Sequence, residues 1–160
     1  MAIKEGDKIP SVTLKHMTAD GMADISTDEL FGGKKVVVFS LPGAFTPTCS
    51  AKHLPGFVQN ADALKGKGVD TIACVSVNDA FVMNAWGKDQ NVGDKVLMLA
   101  DGNAEFSDAV GLSFDGSGFG MGKRAQRYAM VVEDGVVKTL NIEQPGAFEV
   151  SSAEAMLDAV

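Results

Sequence analysis

Cys49 lies in the stretch Pro42-Gly43-Ala44-Phe45-Thr46-Pro47-Thr48-Cys49-Ser50, between an unbroken apolar run and a segment with helical character. A cysteine in or beside the first turn of a helix meets unpaired backbone N–H groups and the positive end of the helix dipole, and both favour its thiolate. A thiolate so placed is equipped to attack the O–O bond of a peroxide. Negative charge then passes to the departing oxygen and must be met by fixed donors. Thr46, three positions earlier, has a hydroxyl that can turn toward the sulfur, accepting a backbone proton and donating to peroxide oxygen. Pro42 and Pro47 stiffen the loop, remove backbone donors and shield the sulfur from water. The cation that would complete the site is Arg127, with Arg124 as the local rival.

These residues need a scaffold, and the rest of the chain supplies one. Val36-Val37-Val38-Phe39, after Gly32-Gly33, reads as a strand buried on both faces of a sheet. Residues 49 to 64 read as a helix and Thr71 to Val77 as a second buried strand, so the order is that of a βαβ unit. Such a unit presents the loop before Cys49 at the carboxyl end of a strand, where ligands gather in open α/β sheets. Further along, 79 to 90 reads as a helix capped by Asp79, 96 to 100 as a strand and 103 to 110 as a short helix. The glycine-rich stretch 111 to 123 has the composition of a mobile surface loop. Residues 128 to 132 and 136 to 140, joined through Asp134-Gly135, carry the strongest hairpin signal, and an amphipathic helix begins near Ser151. With an irregular or hairpin start over residues 1 to 30, this is a single α/β domain spanning 1–160, with a mixed sheet flanked by helices.

Composition removes other function classes. A net charge of -7 repels phosphate backbones and anionic lipid, which argues against nucleic-acid and membrane-surface partners. The two cysteines form no disulfide framework, and with only His16 and His53 beside them, in no paired spacing, no metal site is expected. The first residues alternate charge with isolated apolar positions, unlike a signal peptide, and the expected address is cytoplasmic.

Pro42, Thr46 and Cys49 match the P-x-x-x-T-x-x-C signature of peroxiredoxins. The longer string PGAFTPTCS, followed by Lys52-His53-Leu54-Pro55-Gly56-Phe57, then Val75-Ser76-Val77-Asn78-Asp79 and Arg127-Tyr128-Ala129, resembles the peroxiredoxin-5 subfamily, including plant type II enzymes. The resemblance runs over nearly the whole chain. It implies a thioredoxin-like fold with an N-terminal hairpin extension and a peroxidatic Cys49 supported by Pro42, Thr46 and Arg127. It also implies a homodimer and a cycle in which Cys49 becomes a sulfenic acid and is reduced by thiols, with no cofactor. Glutathione with glutaredoxin, or thioredoxin, is the implied reductant.

Other residues carry competing readings. Cys74 sits mid-strand in an apolar run and reads as a buried small hydrophobe rather than a resolving cysteine, and no later cysteine is available for that role. His53 either leans over the sulfur from the helical face of Cys49 or is simply packed or solvent-bonded. Pro55 should kink or interrupt the helix. Phe45, Phe119 and Trp86 form an apolar rim for organic hydroperoxides, a dimer contact or, for Trp86, ordinary core. The rival functions are a thiol-disulfide oxidoreductase, disfavoured because position 46 is threonine and no CxxC is present, and a redox-sensing or chaperone-like binding protein.

Overall fold

The structure, a computed structural model, describes residues 2–160. The antiparallel hairpin of β1 (Thr13–Thr18) and β2 (Gly21–Ser26) comes first and leads directly into α1 (Thr27–Phe31). Sequence reading left α1 unassigned, yet its signal is there: Ser26 and Glu29 form a reciprocal capping box. The strand β3 (Lys35–Ser40) and the parallel β4 (Thr71–Ser76) flank a helix running over 47–66, whose regular part is α2 (Leu54–Gly66). Next come α3 (Ala80–Asp89), capped by Asp79 through Val82 N–H, β5 (Leu97–Ala100) and α4 (Glu105–Ala109). The strands β8 (Tyr128–Glu133) and β9 (Val136–Ile142) follow the ribbon described below, and α5 (Ala153–Ala159) ends the chain.

Seven strands make one mixed sheet in the order β2-β1-β5-β4-β3-β8-β9, with the N-terminal hairpin added at one edge. At the other edge the segment ahead of β1 lies against β9, with Gly6 N–H donating to Val137 O and Val137 N–H to Asp7 O. The β8–β9 turn is as expected, with Asp134 at φ 47° and Gly135 at φ 78°, the positive pair a primed turn requires.

The expected loop over 111 to 123 is instead largely built. The strands β6 (Ser113–Asp115) and β7 (Lys123–Ala125) pair as a two-stranded ribbon around a short 3-10 turn, Ser117–Phe119. Its glycines serve the bends, with Gly120 and Gly122 at φ 72° and 68°, which is why composition suggested an unstructured connection.

Alternation along the central strands divides the core. Val37, Phe39, Ile72 and Cys74 face α2, α3 and α5, joining Leu54, Phe57, Met83, Trp86, Met156 and Cys49 itself. Val36, Val38, Ala73 and Val75 face the other way, with Phe31, Phe106 and Tyr128. The site therefore rests on the helix-covered side of a sheet buried on both faces.

Between Cys49 and His53 the helix widens into a π turn, where Leu54 N–H reaches back to Cys49 O. Pro55 follows at once, lacking an N–H and crowding the carbonyl one turn earlier, and the wide turn is where the chain accommodates it. The expected interruption thus takes the form of an inserted residue in a continuous helix.

Candidate active site

Cys49 is fully buried in the first turns of the 47–66 helix, just beyond the carboxyl end of β3. The loop that delivers it is tied down by side chains. Ala44 N–H donates to Asn78 Oδ1 (3.0 Å), which also accepts from Ser76 Oγ (2.7 Å). Phe45 adopts φ 63°, a left-handed conformation that costs a bulky residue about 1–3 kcal/mol, and its ring is 53% exposed. Here the structure differs from one expectation: Thr46 Oγ1 donates to Gly43 O at 2.7 Å and so spends its proton on the loop rather than toward the sulfur. Its lone pairs stay available.

The two candidate cations separate cleanly. Arg124 crosses the loop, with Nη1 donating to Pro42 O (3.2 Å) and Nε to Met121 O (3.0 Å). Gly43 permits this, because a Cβ there would stand 2.5 Å from Arg124 Nη1. Arg127, immediately before β8, directs its guanidinium at the cysteine, with Nη2 donating to Cys49 Sγ at 3.1 Å. Pro42 is half-buried at the mouth of the loop.

His53 does not lean over the sulfur; it is the packed histidine of the second reading, with both ring nitrogens bonded. It is fully buried; its Nδ1 lies 2.8 Å from Arg127 Nη1 and its Nε2 lies 2.9 Å from Ser151 O. Since a guanidinium only donates and a carbonyl only accepts, the ring is neutral with its proton on Nε2. Phe39, Phe57 and Phe148 surround it at centroid distances of 5.0, 5.7 and 5.0 Å. Burial first and the Arg127 charge second lower its pKa from 6.5 to about 3, against smaller opposing effects of the Ser151 carbonyl and Glu143.

Behind His53, one carboxylate oxygen of Glu143 accepts from the backbone N–H groups of Glu149, Val150 and Ser151 (2.8 Å each) and from Ser151 Oγ (2.7 Å). Desolvation alone would raise the Glu143 pKa, but these bonds outweigh it and the net shift is downward. Cys74 shares the apolar cluster of Cys49 but is wholly enclosed between Phe39 and Met98 in the neighbouring strands. Its thiol pKa is pushed well up, by burial first and by Cys49 second. Trp86 is core, as one reading had it, with Nε1 donating to Ser50 Oγ at 3.0 Å, whereas the rings of Phe45 and Phe119 are exposed, as is that of Phe81. Among the described residues no group of three or more His, Cys, Asp and Glu side chains could hold a metal ion. Among the described residues no helix is long and apolar enough to cross a membrane.

The His53 shift has a thermodynamic consequence. Between pH 6.5 and about 3 the unfolded chain binds a proton there that the folded chain does not, so stability is full above this window and falls as the pH drops through it. Urea denaturation is expected to show a loss of about 1.4 kcal/mol per pH unit below 6.5 from this residue, and His53→Phe should flatten that slope. An unchanged slope in the variant would contradict the assignment.

Asn78, Glu143 and Ser151 were not singled out as supports by sequence reading. Asn78 falls within a quoted string, but the pairing of Glu143 with a loop up to eight residues later leaves no mark at sequence level.

With this geometry in view, comparisons with known proteins converge. A family model for Redoxin matches residues 4–157. The chain is 50% identical to chloroplastic peroxiredoxin-2E of Arabidopsis thaliana, over 99% of its own length and 70% of the relative's. It is 45% identical to peroxiredoxin-2B of the same plant, over 99% and 98%. Reduced Prx3 of Vibrio vulnificus, crystallised in complex with H2O2, superposes with a TM-score of 0.95 at 57% identity, covering 98% of each chain. This chain accordingly belongs to the Redoxin family as a peroxiredoxin, a thiol peroxidase with the thioredoxin-like fold.

Proposed function

We propose that Cys49 is the peroxidatic nucleophile, that Arg127 holds charge against its sulfur and the peroxide, and that Thr46 and Pro42 shape the pocket. The observation that carries this is the 3.1 Å contact from Arg127 Nη2 to Cys49 Sγ, a charged donor meeting a buried thiol at a helix start. The thiolate attacks one peroxide oxygen, an S–O bond forms as the O–O bond breaks, and the electron pair leaves with the other oxygen, which takes a proton to become water or alcohol. Cys49 is left as a sulfenic acid. Arg127 charge lies where the departing oxygen becomes negative. Thr46 Oγ1, already donating to Gly43 O, has lone pairs to accept from a protonated peroxide oxygen.

An external thiol completes the cycle, condensing with the sulfenic acid to a mixed disulfide and releasing water. The enclosed position of Cys74 favours this over an internal disulfide. Glutathione with glutaredoxin, or thioredoxin, supplies the electrons. Full burial of Cys49 requires the π turn to open before such a partner reaches the sulfur. We further propose a homodimer that covers the exposed rings of Phe45 and Phe119, working in the cytoplasm, a compartment reducing enough to return both cysteines to thiols.

The test is a single-turnover reaction of the prereduced wild-type protein with hydrogen peroxide, followed by Trp86 fluorescence and intact mass. Fast oxidation ending in a one-oxygen adduct that glutathione converts to a mixed disulfide is expected. Prompt loss of two hydrogens instead would transfer resolution to Cys74.

A further inference from the structure

We propose that His53 is a positioning residue for Arg127, its neutral Nδ1 fixing the guanidinium so that Nη2 addresses Cys49 Sγ. The inference rests on the roles of Cys49 and Arg127 proposed above and adds the group that orients them.

A guanidinium is a rigid planar fork, so holding one terminal nitrogen aims the other. Arg127 has Nη1 on His53 Nδ1 at 2.8 Å and Nη2 on Cys49 Sγ at 3.1 Å, while the Phe148 ring, 5.9 Å from Cζ, offers only a face. Among the described residues no carboxylate forms an ion pair with Arg127. That choice of acceptor matters chemically. A carboxylate in the place of His53 would hold the fork equally well but would neutralise it, whereas a neutral imidazole orients the cation and leaves its charge for the sulfur and the peroxide.

For Nδ1 to accept, the ring proton must sit on Nε2, and the Ser151 carbonyl fixes it there at 2.9 Å. The segment carrying that carbonyl is held by Glu143, which gathers three consecutive backbone N–H groups and the Ser151 hydroxyl onto one oxygen. Glu143 N–H in turn donates to Arg127 O at 3.0 Å, so one residue anchors both ends of the relay. The buried Phe39 and Phe57 and the half-buried Phe148 enclose the ring, which is itself fully buried and so shielded from water that could substitute for either bond.

Four proteins and one spectrum test this. His53→Phe keeps the ring and removes the acceptor; His53→Asn places Oδ1 near the position of Nδ1. The second-order rate of oxidation by hydrogen peroxide should fall roughly ten- to hundredfold in His53→Phe, as for loss of a buried bond to a charged group, and recover most of that loss in His53→Asn. Equal rates in wild type and His53→Phe, or equally slow rates in both variants, would overturn the positioning role. Imidazole nitrogen NMR of the wild-type protein gives an answer that does not depend on any variant folding: the Nε2–H tautomer is required, and Nδ1–H refutes the proposal. Cys49→Ser in the same assay separates the two levels. Oxidation that survives it removes the underlying reading, whereas Cys49-dependent oxidation indifferent to His53→Phe removes only this one.

Discussion

Cys49→Ser is expected to lower the rate of reaction with hydrogen peroxide by more than roughly a thousandfold while leaving the fold intact. The side chains are nearly the same size, and the position lies against packed apolar neighbours that make no bond requiring sulfur. A serine hydroxyl stays protonated at neutral pH and has no base beside it: the Arg127 fork only donates, and His53 Nδ1 is taken by that fork. The second cysteine cannot take over. Cys74 is walled in between Phe39 and Met98, and burial holds its thiol protonated, so it presents neither thiolate nor path to peroxide. Stopped-flow fluorescence of Trp86, whose indole N–H bonds Ser50 beside the sulfur, should lose its fast phase, and intact mass should show no early oxygen adduct. A variant that still acquires one oxygen at the wild-type rate would take the nucleophile away from Cys49.

Arg127→Gln is expected to slow the same reaction by about a hundred- to thousandfold, the range seen when one preorganised donor is removed from a developing oxyanion. Glutamine keeps a donor and much of the length but loses the charge and the fork, so sulfur and His53 can no longer be served together. The expected signature is a slow bimolecular step with an unchanged final mass. A rate within about threefold of wild type would leave Arg127 a structural role only. Arg124 is the built-in control, since its guanidinium is committed to Pro42 O and Met121 O.

The contrast between these two arginines shows where sequence reading works. The buried strands were legible because Val36 to Phe39 and Thr71 to Val75 are unbroken apolar or β-branched runs, and the Asp134-Gly135 turn because few residues accept two positive φ angles in succession. Cys49 stood out as a candidate because a cysteine in a proline-bracketed loop is hard to explain as core, whereas Arg127 stood out over Arg124 through the resemblance, and the folded chain brings it to 3.1 Å from the sulfur. The direction of the Thr46 hydroxyl was not, because a rotor settles on the nearest free acceptor, here Gly43 O, which only the folded loop brings to 2.7 Å. The ribbon over 113–125 was hidden because its glycines look like disorder until strand pairing gives them positions. His53 was ambiguous for a related reason: its function lies in two partners, Arg127 and Ser151, that are 74 and 98 residues away.

The way the leading segment lies along β9 bears on a hazard common to open sheets. An unpaired outer strand is a template on which a second chain can grow, and this sheet has two such borders, β2 and β9. Residues 5–9 occupy bonding positions near the turn end of β9: Gly6 and Ile9 N–H donate to Val137 and Gly135 carbonyls, Lys8 bridges Val136, and Glu5 Oε2 takes the Leu140 N–H. The β2 border has no such cover among the described residues, and it is six residues long with Asp24 ion-paired across to Lys15. The helix opening proposed over Cys49 is compatible with this arrangement, because loosening the chain there leaves the cover on β9 in place and need not uncover a strand that could recruit a neighbour into a fibrillar stack.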